Sequence, residues 1–347
     1  MARDNLHRSQ SVTSRDVARA ANVSQALVSR AFSGKGRIAP ETRDRILAVA
    51  KSIGWRPNAL AASMVTGDAP LVAVITARLN FDWRAQVLSR LLDALQQHGL
   101  KPLLFYANDD QHVDALMSEA IGWRTRGIIV TAGAIAPERA SEVIDHGYFL
   151  AALNRSAGHD EAFSIATDNA SGGAEAARAF LADGRQRLLV VAGPPDNWAS
   201  ATRTSGFLAA LEATGRHAEV WNNEAMGVEA GLASAQKFLA LEPGLRPDAA
   251  FVTNDTMALG LLDGLRGRVA VPDKLAVIGF DNLPAASWTP YQLTTFEQPL
   301  EDLVRRIIAH IRQHEGHAEP PDPAGTPDGL ILSPPRLVER KTTRVRP

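Results

Sequence analysis

Cysteine is absent from this chain of 347 residues, which excludes disulfides, thiolate metal sites and cysteine nucleophiles together. No apolar run approaches the roughly 18–20 residues that span a bilayer. The opening stretch, residues 1–12, lacks the apolar core of a signal peptide. Phosphate-cradling loops are missing as well. Gly34-Lys35-Gly36 lacks the earlier glycine of a P-loop, no G-x-G-x-x-G follows a strand-like run, and no G-x-S-x-G elbow occurs. These absences argue against a membrane protein, a nucleotide-dependent enzyme and a serine hydrolase, and they favour the cytoplasm. No cofactor and no metal is called for. His310, His314 and His317 share one face near a helix end, but no acidic residue at helical spacing completes a ligand set, so a solvated face is expected.

What is present is unevenly charged. The net charge of −1 is the sum of +7 over residues 1–67, with eleven Lys and Arg against four Asp and Glu, and −8 over the rest. A basic arm on an acidic body suits a chain whose one end meets phosphates while the remainder stays off them.

Segment 13–67 reads as helices only. Ser14 is expected to cap a first helix with Val17 and Ala21 on one face, and Ser24 a second helix running to about Phe32. Pro40 and Glu41 open a third, which carries an apolar stripe of Ile46, Val49, Ala50 and Ile53 and ends at Gly54. Beyond residue 70, apolar runs such as 71–76, 102–106, 127–130, 149–153, 187–192, 218–221, 249–253 and 275–280 alternate with amphipathic stretches. Helices are expected at 83–98, 169–183, 199–214, 228–241 and 255–265. Near-continuous apolar strands between helices imply parallel sheets covered on both faces. The number of strands implies two doubly wound lobes. A proline-rich tail from Gly316 carries short strands near 330–332 and 336–338.

The stretch VTSRDVARAANVSQALVSRAF, residues 12–32, has the order helix, tight turn, helix of a helix-turn-helix. The second helix then presents Gln25, Ala26, Ser29 and Arg30 outward, with Val23, Leu27 and Val28 packed inward. Arg30 has the geometry to donate two bonds to guanine and Gln25 to pair with adenine. An ordinary helical hairpin with a solvated arginine is the alternative that this window alone leaves open.

Asp16-Val17-Ala18, Val23-Ser24, Val28-Ser29-Arg30, Pro40-Glu41-Thr42-Arg43 and Arg56-Pro57-Asn58 resemble the DNA-binding headpiece of the lactose-repressor (LacI/GalR) family. Further marks follow in the family's order: Asp168-Asn169, Arg203 with Gly206-Phe207, Asn254-Asp255, Gly279-Phe280-Asp281 and Leu337-Val338-Glu339-Arg340. The resemblance runs over about residues 12–343. It departs at Leu27 for Thr, at Phe32-Ser33 for Leu-Asn, and in the linker at Ala62 for Arg and Met64 for Leu.

The resemblance implies a headpiece at 1–57, a hinge helix and linker at 58–67, and a two-lobed, periplasmic-binding-protein-like sensor at 68–347. It implies a homodimeric, non-enzymatic repressor on double-stranded operator DNA, contacted through Thr13, Ser14, Ser24, Gln25, Ala26, Ser29, Arg30, Lys35, Arg37, Asn58 and Met64. The linker from Asn58 to Met64 is too short to stand alone as a helix, so it is expected to order only with its dimer mate on DNA. Doubly wound sheets bind ligands outside the carboxyl ends of their strands. Phe81, Asn154, Asp168, Trp198, Arg203, Asn254 and Asp281 fall at such places. A ring of Asn, Asp and Arg with two aromatics suits a sugar or sugar derivative as effector. For single residues plainer roles compete: Asp168 and Asp255 as helix caps, Arg203 in a surface ion pair, Trp198 in the core. A periplasmic solute-binding protein would share the two lobes but has no use for residues 12–66. A Rossmann enzyme would need the phosphate loop that is missing.

Overall fold

The computed structural model describes residues 12–33, 36–57, 70–79, 82–108, 112–133, 135–317 and 329–344. Lys35, Asn58, Met64, Phe81 and the linker 58–67 lie outside the described residues. The chain divides into two compact units, 1–69 and 70–347.

In the first unit, helices α1 (Ser14–Ala20), α2 (Gln25–Ser33) and α3 (Pro40–Ser52) pack on one another. The cap of α1 is Thr13 rather than Ser14. Thr13 accepts the Asp16 amide, and Asp16 returns a bond to the Thr13 amide at 2.9 Å, a capping box that satisfies two end groups at once. Ser14 is instead the first helical residue. Asn22 takes a left-handed backbone, φ 49°, which reverses the chain within the α1–α2 turn; a short polar side chain tolerates that conformation best. Ser24 accepts the Leu27 amide at 3.2 Å and so opens α2. Pro40 occupies the first turn of α3 with Glu41, where a missing N–H and a negative charge are both tolerated. Val17, Val28, Ala31, Ile46 and Ala50 form the dry centre, and Phe32 meets Trp55 edge-on at 4.9 Å.

The second unit holds two six-stranded sheets. The first is built from β1 (Leu71–Ala77), β2 (Lys101–Ala107), β3 (Gly127–Val130), β4 (Phe149–Leu153), β5 (Phe163–Thr167) and β11 (Leu330–Ser333), in the order β11-β5-β4-β3-β1-β2. The second has β6 (Leu188–Ala192), β7 (Ala218–Asn222), β8 (Ala249–Val252), β9 (Ala276–Asp281), β10 (Thr294–Glu297) and β12 (Arg336–Val338), in the order β12-β10-β9-β8-β6-β7. Among the described residues every pairing is parallel except β10 with β12. Both sheets reverse their winding beside the first strand of the lobe, between β1 and β3 and between β6 and β8, the position where such sheets open a crevice.

Helices cover both faces of each sheet. On the first lobe α4 (Asp82–Gln97) and α11 (Leu300–His314) lie on one side, with α5 (Val113–Gly122) and α6 (Pro137–Asp145) on the other. On the second, α7 (Asn169–Ala182) and α8 (Trp198–Glu212) oppose α9 (Val228–Ala240) and α10 (Asp255–Leu265). With both faces covered, β3, β4, β5, β6 and β8 are buried throughout, which explains their unbroken runs of small and branched residues.

The histidines near the end of α11 are not one solvated face. His310 is half-buried and stacks on Phe163 at 4.7 Å, while His314 meets Phe149 edge-on at 6.0 Å. No helix among the described residues is long and apolar enough to cross a membrane.

Candidate functional site

The α2 helix buries Val28 and Ala31 and half-buries Leu27, so Ser24, Gln25, Ala26, Ser29 and Arg30 are all exposed together on its other side. That is one continuous polar face at the start of a short helix, with Arg30 reaching past Gly36 (a Cβ on Gly36 would lie 3.5 Å from Arg30 Cδ). Gln25 is braced by donating to the Ser14 hydroxyl at 2.8 Å, which ties the starts of the two helices together. Thr13 and Arg37 are exposed on the same unit and Ser14 is half-buried. Arg43 donates to the Ala31 carbonyl at 3.1 Å and fixes α3 against α2.

In the second unit the residues with most chemistry gather where strands of the second sheet end. Arg203, on α8, is buried with Asp281, the last residue of β9; their side chains are 5% and 9% exposed and 3.4 Å apart. Arg203 also donates to Asn169 Oδ1 at 2.8 Å and to the Thr253 carbonyl at 2.6 Å, and its guanidinium lies 3.7 Å over the Phe280 ring. Asp281 Oδ1 accepts from Gln298 at 2.6 Å. Arg203 Nη2 and Asp281 Oδ2 have no hydrogen-bond partner among the described residues. The pair therefore keeps one donor nitrogen and one acceptor oxygen for a bound hydroxyl or carbonyl.

Burial pushes the Asp281 carboxyl up to about 6, against the lowering effect of Arg203 and Gln298. Asp255 is pushed up to about 7, first by burial and then by the charge of Asp281. Desolvation also lowers Arg203 from its ordinary value. Asp255 is not the cap of α10. That role belongs to Asn254, whose side chain accepts the Met257 amide at 2.9 Å. Asp255 instead takes the Leu283 amide at 2.8 Å and the Thr295 hydroxyl at 2.5 Å. These bonds hold the turn after β9, where Asp281 and Asn282 both have positive φ, 123° and 50°. Non-glycine residues rarely adopt that backbone, and such strain concentrates at ligand sites.

The remaining sequence-derived positions have backbone work of their own. Asp168 caps α7 through the Ser171 amide at 3.0 Å. Asn154, itself at φ 59°, accepts the Thr167 amide at 3.1 Å. Asn254 uses both ends of its amide, the second donating to the Met226 carbonyl at 2.9 Å. Trp198 is 42% exposed at the start of α8 and is not a core residue. Arg203, in turn, is buried against Asp281 and not paired with a surface carboxylate. Sequence reasoning did not single out Thr167 or Gln298, and it named Asn169 only within the Asp168-Asn169 mark of the resemblance. Their signal was positional, since each sits just at or beyond the end of β5 or β10.

Two families match this chain: residues 13–58 match "Bacterial regulatory proteins, lacI family" and residues 177–343 match "Periplasmic binding protein-like domain". The HTH-type transcriptional regulator GalS of Salmonella typhimurium is 31% identical over 301 residues, covering 85% of this chain and 87% of GalS. The chain belongs to the LacI family. Catabolite control protein A of Priestia megaterium is 28% identical over 302 residues, covering 84% of this chain and 89% of that protein. The fold is that of the lac repressor dimer solved with operator and the anti-inducer ONPF: TM-score 0.84 at 22% identity, over 97% of this chain and 100% of that one. This LacI-family chain is thus a DNA-binding transcriptional regulator and not an enzyme.

Proposed function

We propose that this LacI-family regulator is a homodimeric repressor whose operator affinity is set by a sugar or sugar derivative held between the lobes of its sensor. The observation that carries the reading is the buried Arg203–Asp281 pair, with one polar atom of each left over at the carboxyl ends of the second sheet. A largely buried charged pair with one donor and one acceptor left over suits the vicinal hydroxyls of a sugar, which both donate and accept. Fold neighbours fit this class: one is a transcriptional regulator CelR–cellobiose complex, another is complexed with D-xylulofuranose. Asn154, Asp168, Trp198, Asn254 and Phe81 complete the proposed effector shell.

In the same reading residues 1–57 dock on DNA in the cytoplasm. Ser24, Gln25, Ala26, Ser29 and Arg30 face base edges, Thr13, Ser14, Lys35 and Arg37 face phosphates, and Asn58 and Met64 in the 58–67 linker reach the minor groove. Residues 68–347 form the sensor and dimer body. Calorimetry with a panel of hexoses, pentoses, sugar acids and nucleosides, followed by operator binding with each hit, tests the proposal. A hit must change operator affinity and must lose its heat of binding in Asp281→Ala. A hit that binds Asp281→Ala unchanged would move the site elsewhere.

A further inference from the structure

Among the described residues the chain crosses between the lobes three times: from β5 into α7 (residues 167–169), from β10 into α11 (297–300) and from β11 to β12 (333–336). The three crossings are laced to one another. The Asp168 amide donates to the Ser333 carbonyl at 2.7 Å, and the Ser333 hydroxyl to Asp302 at 2.6 Å. Thr167 Oγ1 donates to Gln298 Oε1 at 2.7 Å, and Gln298 Nε2 donates onward to Asp281 Oδ1 at 2.6 Å. Thr167 itself hangs from Asn154 through its amide at 3.1 Å. A continuous line of bonds therefore runs from the first-lobe strand ends, through one buried amide in a crossing segment, to Asp281 and Arg203 in the second lobe.

We propose that Gln298 is the positioning residue that couples the Arg203–Asp281 pair to the angle between the lobes. This deepens the effector reading above and rests on it for its biological meaning. Thr167 is fully buried and Gln298 is 4% exposed, so neither bond exchanges readily with water. A primary amide satisfied at both ends is directional: its oxygen faces the first lobe and its nitrogen the second. Any ligand that draws Asp281 toward itself must stretch or rotate that amide. The strain then falls on Thr167 and on the crossing it belongs to. Gln298 acts through Asp281, which it holds by its Nε2.

The absence of cysteine permits a direct test in the full-length chain. Spin labels on Ser118→Cys in α5 and Ser205→Cys in α8, both exposed, report the lobe-to-lobe distance by pulsed electron resonance, with labelled protein diluted in unlabelled copies. Asp281→Ala should shift the distance distribution and change operator Kd by about fivefold or more, the range of ordinary allosteric coupling. In a Gln298→Leu background the same substitution should add no further shift and less than about a twofold change in Kd. Asp281→Asn, which keeps an oxygen for Gln298, should restore most of the wild-type distribution. Thr167→Val, nearly isosteric and cutting only the first-lobe bond, should reproduce Gln298→Leu and guards against a folding defect in that variant. Equal shifts from Asp281→Ala in both backgrounds would overturn the proposal. The distance cycle needs no effector, so failure of the sugar reading would appear in calorimetry and leave this result standing.

Discussion

Gly173 sits on α7 where a Cβ would lie 2.0 Å from the backbone oxygen of Arg203. Ordinary van der Waals contact begins near 3.4 Å, so Gly173→Ala leaves the added carbon about 1.4 Å short of room. The obstructing atom is backbone, and no rotamer change relieves it. Helices α7 and α8 cross at this point with a reciprocal contact, since a Cβ on Gly206 would meet the Ala170 oxygen at 2.1 Å. They must separate, and Arg203 moves with its helix. In an open helix Gly→Ala is worth about 0.5–1 kcal/mol in favour of folding, whereas forcing a methyl into close packing costs typically 1–3 kcal/mol. The second effect wins, and a net loss of about 1–2 kcal/mol is expected. Gly122, the last residue of α5, has nothing within 4 Å of its virtual Cβ, so Gly122→Ala should be neutral or slightly stabilising. Urea unfolding of the two variants followed by circular dichroism compares the signs directly. Gly173→Ala should also weaken the sugar response. A Gly173→Ala protein as stable as Gly122→Ala would refute the packing argument.

Three further outcomes are expected. Arg30→Ala should cost about 1–3 kcal/mol on the best operator and relax preference at one base pair, while Arg37→Ala should weaken all DNA alike and flatten the salt dependence; equal losses on random and operator DNA in titrations of Arg30→Ala would contradict the base-edge role. Thr13→Ala removes half of a capping box and should lower headpiece stability by about 1 kcal/mol, read as faster amide hydrogen exchange in residues 14–52. The carboxyl of Asp255 is raised to about 7 in the folded chain against about 3.9 unfolded, so the native state holds the extra proton in that window and this group's contribution to stability is lost as pH rises from about 4 to 7. Asp255→Asn imitates the protonated form, and should flatten that part of the curve in urea midpoints measured against pH; parallel curves for variant and wild type would assign the pH dependence to other groups.

Periodicity made most of the sheet core legible. Runs such as Gly127–Val130 and Phe149–Leu153 are strands at those limits, because a strand covered on both faces must be apolar throughout. The two strands that escaped notice, Phe163–Thr167 and Thr294–Glu297, are buried throughout or in all but the last residue, but carry hydroxyls. Ser164 accepts the Ala157 amide at 2.9 Å, and Thr295 donates to Asp255 at 2.5 Å. Buried hydroxyls with fixed partners look polar in a sequence and behave as core in the fold. The same blind spot hid Gln298 and Thr167, since a residue's value there depends on a partner 131 positions away. The α1 cap was misplaced by one residue because Thr13 and Ser14 are both acceptable caps. Only the acidic residue three places on, Asp16, decides in favour of Thr13.

Two motifs far apart in the chain, Asn254-Asp255 and Gly279-Phe280-Asp281, are one physical device. Glycine is required at 279 because a Cβ there would lie 2.3 Å from Asp255 Oδ1. With that space open, the Asp255 carboxylate reaches the Leu283 amide beyond the end of β9 and the Thr295 hydroxyl on β10. Those bonds fix both ends of a two-residue turn that Asp281 and Asn282 would not hold by themselves. The ring of Phe280 lies under the guanidinium of Arg203, and Asn254 spends its amide on closing α10 beside them. Removing any one part leaves another unsupported: a larger residue at 279 displaces the carboxylate, and losing the carboxylate releases the turn. An Asp281 carboxyl that is no longer aimed also leaves a buried arginine without its counter-ion, which is costlier than never having buried the pair. The constraint on these residues is therefore collective, and the strained backbone at Asp281 is the feature the rest of the cluster exists to hold.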